Sequence, residues 1–220
     1  MSVLSLATLK KVHATRRRGV VIRRLSNKLG LLYFGTVDQN RDEHEVIRGI
    51  TTSITHTDRH YSVGSYDGYD IAIVDRYDTT KHAAGVTQQN WCIIEISLHE
   101  KAPLPPIFFL PAHHEASYTH FFSNSRHLVP IHDFLQMPLS EEFRTRYTLY
   151  GLPHMMQSVN QTFLSELTRG IGAHFWPAAL ELKEDKLYIT LTEHRLTETV
   201  LGSAIESALW LADALDQLKD

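Results

Sequence analysis

Cysteine is nearly absent. The only one in 220 residues is Cys92, so an intramolecular disulfide framework and a cysteine-built zinc module are both excluded. No apolar run approaches the ~20 residues that carry a helix across a bilayer. There is no Gly-x-Ser-x-Gly elbow, no phosphate loop, no Gly-x-Gly-x-x-Gly turn and no His-Glu-x-x-His pair. The usual sequence marks of an acyl hydrolase, a nucleotide enzyme and a zinc protease are therefore missing, and no cofactor is indicated. Acidic residues are missing from positions 1–30.

What stands in that acid-free stretch is basic. Lys10, Lys11, Arg16, Arg17, Arg18, Arg23, Arg24 and Lys28 give it a charge of +8, against −11 for the remainder. Such a split suggests a cationic arm on an acidic body, with the arm seeking an anionic surface. Leu6, Leu9 and Val12 form one helical stripe, and Ile22, Leu25, Leu29 and Leu32 another. Gly19 is expected to interrupt the helix or separate two. The boundary falls at about residue 35, giving an arm over 1–35 and one domain over 36–220.

The body reads as strands first and helices later. Asp67-Gly68 between 60–66 and 69–75 is a tight hairpin signal, since both residues tolerate positive φ. Residues 78–87 read as a loop. Residues 88–98 read as a strand covered on both sides, with Trp91 and Ile93 opposite Cys92, Ile94 and Ile96. Residues 143–150 alternate like a strand, which would set Arg144 and Arg146 on one side as a basic ridge. A helix should follow Gly151-Leu152-Pro153, then a hairpin around Glu184-Asp185 and a final helix over 197–218. Tight turns force antiparallel neighbours. The expected class is α+β: a largely antiparallel, meandering sheet packed by C-terminal helices, with basic amphipathic helices at the N-terminus.

The runs Gly64–Asp75, Trp91–Ile96, Leu104–Ile107, Phe143–Tyr147 and Ala179–Lys183 together resemble a bacterial family of uncharacterised, often membrane-associated proteins. The resemblance spans about residues 46–215. Its motifs are structural and carry over no functional residues. Family members often place a membrane segment ahead of this domain; here the basic arm stands in that place.

Chemistry has few candidates. Histidine is abundant, at 14 residues, and densest over His113, His114, His120, His127, His132 and Asp133. A metal-dependent hydrolase would use His113 or His114 with His120 and His132 or Asp133, since zinc needs several ligands converging within ~2.1 Å. Adjacent histidines diverge on a strand or helix, so surface or partly buried histidines are the simpler reading. Cys92 sits in the most apolar strand and reads as an inert thiol. Tyr61, Tyr66, Tyr69, Tyr77 and Trp91 read as cross-strand packing before base stacking. The sequence points to a non-enzymatic binding or scaffolding domain. Its arm would meet an anionic membrane surface, an acidic protein or a second copy; the expected location is cytoplasmic, with a peripheral place at the inner face of the membrane if the surface is lipid. Nucleic acid is the alternative anion, disfavoured by the acidic body.

Overall fold

The computed structural model describes residues 6–37, 47–52, 55–82, 85–99, 104–112, 114, 118, 127–162, 165–192 and 196–217. It opens on helix α1 (Leu6–Leu29), which turns directly into strand β1 (Leu32–Thr36). Then come β2 (Thr57–Tyr66), β3 (Tyr69–His82), β4 (Gly85–Ser97) and β5 (Leu104–Pro111). After β6 (Val129–Pro130) and a 3-10 turn at His132–Phe134, the order is α2 (Glu141–Arg146), β7 (Tyr147–Gly151), α3 (Met156–Thr162) and α4 (Ser165–His174). The hairpin β8 (Ala179–Glu184) and β9 (Lys186–Leu191) precedes the last helix, α5 (Glu198–Gln217).

The strands form one nine-stranded sheet in the order β1-β2-β3-β4-β9-β8-β5-β7-β6. Each of its strand pairs is antiparallel. The class is α+β, as expected. β1 to β4 meander; the late hairpin β9–β8 then joins their open side to β5, which brings the two halves of the chain into one layer.

Side chains alternate across the pleat, so each strand feeds two cores. Ile71, Ile73, Ile94, Ile96, Phe109, Leu182 and Ile189 face the helices. Val74, Trp91, Ile93, Phe108, Ala179 and Tyr188 face the other way, against Ile47 and Tyr118. The β4 residues follow the alternation read from sequence, and Cys92 is fully buried, which pushes its thiol up to about 12. The Asp67-Gly68 turn has φ of 51° and 86°. Thr197 caps α5, its hydroxyl accepting from the Val200 amide at 3.2 Å. At the other end, the Tyr69 hydroxyl lies 2.8 Å from Asp213 Oδ1 and 2.9 Å from Asp216 Oδ2, tying α5 to β3.

Four local expectations change. Positions 78–82 and 85–87 are strand rather than loop, because β3 and β4 pair in continuous register out to His82 and Gly85. Residues 143–146 are helical rather than strand. The Ser140 hydroxyl accepts from the Phe143 amide at 3.2 Å, and Glu141 and Glu142 favour the start of a helix. Arg146 therefore bonds the Gly172 carbonyl and Glu142, each at 2.8 Å, and forms no ridge with Arg144. Gly19 does not break α1. It lets the helix approach β2, for a Cβ there would lie 2.3 Å from His60 Cε1. Leu32 belongs to β1 and not to the helical stripe, because α1 ends at Leu29.

Candidate functional site

Helix α1 is held to the sheet by one side. Ile22 and Leu25 are buried in the helix-facing core. The hydroxyls of Ser26 and Ser62 meet at 2.7 Å. Arg18 makes a two-pronged contact with Asp75 of β3, Nε at 2.9 Å and Nη2 at 2.6 Å from Oδ1. Burial works to lower the Arg18 pKa, but the hydrogen bonds and charge of Asp75 overcome it, and the net shift is upward. Tyr77 adds a third hold on Asp75, its hydroxyl donating to Oδ2 at 2.7 Å.

Of the eight basic residues singled out by charge, Arg18 is thus a buried anchor and is withdrawn from any outside surface. Lys10 and Lys11 lie on the first half of α1, and their side chains fall outside the described residues. Arg16, Arg17, Arg23, Arg24 and Lys28 are exposed. Arg24 Nη1 is 3.5 Å from Glu198 of α5 and stays 70% exposed. Arg23 leans the other way, its guanidinium carbon 5.9 Å from the centre of the Tyr33 ring on β1.

The turn between α1 and β1 explains that contact. The Leu31 amide donates to the Ser26 carbonyl at 2.8 Å and the Gly30 amide to the Asn27 carbonyl at 3.3 Å, with Gly30 at φ 75°. This is a Schellman stop. It reverses the chain at once, so β1 runs back beside the last turns of α1. β1 is the first strand of the sheet and, among the described residues, pairs with β2 alone, Leu32 opposite Val63 and Phe34 opposite Tyr61. Leu32 is 67% exposed and Phe34 45%. A basic helix face and an apolar strand edge therefore lie side by side. Charge patterning announced the first. The second was hidden because the apolar run 29–34 continues the helical stripe across Gly30.

Among the described residues the histidines do not gather. His113 and His120 lie outside the described residues. His114 Nδ1 is 3.5 Å from Thr192 Oγ1, with the ring edge-on to Trp176. His132 Nε2 accepts the Leu149 amide at 2.8 Å, and burial lowers its pKa, so this nitrogen is taken by the backbone. Asp133 is exposed on the 3-10 turn. Among the described residues no group of three or more His, Cys, Asp or Glu could hold a metal ion.

A second feature lies on the sheet face away from the helices. The segment 47–52 crosses that face and is pinned twice. Arg76, fully buried, binds Asp58 through Nε at 2.7 Å and Nη2 at 2.8 Å, and also reaches the Ile47 carbonyl at 2.6 Å. Glu181 Oε2 accepts the Ile50 amide at 2.6 Å. Glu181 lines a cleft of about 390 Å³ with Gly49, Phe108, His127 and Lys183. Burial pushes its carboxyl up to about 7, against the opposing pull of the Ile50 bond and of Lys183. Neither Arg76 nor Glu181 could be singled out in sequence, since both sit among ordinary strand alternation.

No family model matches the sequence, and no curated protein matches it. Among solved structures the chain is similar to the crystal structure of the mycobacterial trehalose monomycolate transport factor A, TtfA. The TM-score is 0.53 at 10% identity, over 92% of this chain and 94% of that one. At this identity the likeness shows a shared fold. Among the described residues no helix is long and apolar enough to cross a membrane.

Proposed function

We propose that the protein is a non-enzymatic binding module that docks an acidic protein partner on the outward face of α1. One observation carries this reading. The apolar stripe Ile22, Leu25 and Leu29 is packed on the protein's own core, while Arg16, Arg17, Arg23, Arg24 and Lys28 are exposed, with Val20 among them. An amphipathic helix lying on lipid needs that stripe for insertion. With the stripe occupied, this part of the helix exposes five basic side chains against Val20 as its one large exposed apolar side chain, which suits a carboxylate-rich protein surface better than a bilayer. The transport factor that shares the fold is named for carriage rather than for chemistry, which agrees with a binding role.

Charge attraction of this kind weakens with salt, since exposed charges are screened over ~10 Å at 0.1 M. The test is titration of the full chain with poly-L-glutamate and with anionic vesicles. Binding to poly-L-glutamate should fall with added salt, and should fall at least about tenfold in the variant Arg16→Glu/Arg17→Glu/Arg23→Glu. Unchanged affinity in that variant removes the proposal. Vesicle binding that exceeds polyglutamate binding and survives high salt would restore the membrane reading. A shift from monomer to dimer that tracks the same substitutions would favour self-association instead.

A further inference from the structure

The free edge of β1 has its own chemistry. A strand at the border of a sheet presents unpaired N–H and C=O groups, and proteins blunt such borders with Pro, with Lys or with a very short strand. The opposite border shows this, for β6 is two residues long and ends on Pro130. β1 has none of these devices. It runs Leu-Tyr-Phe-Gly-Thr, with Leu32 and Phe34 exposed on one face. On the other face Tyr33 lies under Arg23.

Among the described residues beside the two ends of β1, arginines are exposed. Arg16 stands two turns before Arg23, on the same side of α1. Arg59, exposed, lies across from Thr36 at the far end of β1, with its guanidinium carbon 5.2 Å from the Tyr77 ring centre. The carboxylates of β2 and β3 beside Arg59, Asp58 and Asp75, are both buried in ion pairs and do not offset it, and Asp70, exposed at the other end of β3, is engaged by the Ser65 hydroxyl.

We infer that the outer edge of β1 receives an extended, acidic segment of a partner protein as an added strand. Backbone hydrogen bonds to β1 supply the affinity of such a joint, and alternate side chains supply its selectivity. The segment's apolar side chains cover Leu32 and Phe34, and its carboxylates face Arg23, Arg16 and Arg59. A second copy of the same edge would set these arginines against one another, which disfavours β1 pairing with itself. The inference rests on the acidic-partner reading above and specifies how that partner is held.

The test uses the full chain and a short peptide of alternating valine and aspartate. Two controls accompany it: the valine–lysine counterpart, and a valine–aspartate peptide N-methylated at alternate amides. The acidic peptide should bind, should slow amide exchange in Leu32–Thr36, and should lose about tenfold or more in affinity to Phe34→Lys and to Leu32→Lys. Both positions are exposed, so the fold should tolerate them. The lysine and N-methyl peptides should not bind. Equal binding of the N-methyl peptide, or no effect of either substitution, overturns strand addition. If poly-L-glutamate binding still falls in the arginine variant, the acidic-partner reading survives that loss. If neither the peptide nor poly-L-glutamate binds, both readings fall. A dimer abolished by Phe34→Lys would make the occupant a second copy and overturn the acidic segment.

Discussion

Asp75 and Arg76 are neighbours on β3 and point to opposite faces of the sheet. Each pins the layer that covers its own face: Asp75 holds Arg18 of α1, and Arg76 holds Asp58 and the segment 47–52. A buried pair gives little net stability over an apolar substitute, but removing one partner strands the other charge out of water. Asp75→Ala should therefore cost about 3–5 kcal/mol in urea unfolding. The double variant Arg18→Met/Asp75→Leu should recover much of that loss. Equal losses in the single and double variants would mean the pair contributes mainly through packing. Glu181 gives a prediction of opposite sign to that of an ordinary paired carboxylate. Its folded pKa is raised from 4.5 to about 7, so its contribution to stability is full below about pH 4.5 and is lost as pH rises through about 7. Glu181→Gln still accepts the Ile50 amide and has no charge to bury. It should be more stable than wild type by roughly 3 kcal/mol above pH ~8 and nearly equal near pH ~4, read from urea midpoints. A gain that does not depend on pH would show that titration is not its source.

At the scale of elements, the joint between α1 and the sheet depends on how closely helix and strand approach. His60 is fixed by the Tyr33 hydroxyl at 2.8 Å and lies against the Tyr33 ring. A side chain at position 19 has nowhere to go unless that ring moves. Gly19→Val should cost about 1–3 kcal/mol from overpacking, although valine is the better helix former. A thermal melt of Gly19→Val beside the exposed control Val20→Ala checks this. A drop in both alike would place the effect in the helix rather than in the contact. The α1–β1 reversal also decides the character of the site, because a longer connection would let the helix lie apart from the edge it now flanks.

At the scale of the whole molecule, the basic segment is part of the folded body. Ile22 and Leu25 belong to the helix-facing core, and β1 is a strand of the same sheet. Deleting residues 1–30 would expose apolar surface worth ~1.5–3 kcal/mol per buried side chain. It would also leave Asp75 without Arg18. Those losses are comparable with the ~5–15 kcal/mol that holds a typical domain together. The truncated chain should show no cooperative thermal transition, or one far below that of the full chain, in calorimetry. A truncation that melts like the full chain would mean α1 contributes little to stability. Charge variants on the outward face, which leave Ile22, Leu25 and Arg18 in place, are for that reason the proper probes of binding.

Much of the architecture was legible in the residues. Alternation in 91–96, the Asp67-Gly68 turn, the hairpin at Glu184-Asp185 and the long stripe of α5 are local patterns, and local patterns follow from backbone geometry and period. The +8 segment was equally plain, because charge needs no neighbour to be counted. What sequence could not say is which of those charges stay outside. Arg16, Arg17 and Arg18 are consecutive and chemically alike, yet only Arg18 meets a buried carboxylate, 57 residues away in the chain. The same holds for the join of β4 to β9, for the segment 47–52 over Glu181, and for the bare edge of β1. Each depends on distant parts of the chain arriving at one place, and the energy of a buried charge or an open strand edge is set by what arrives there.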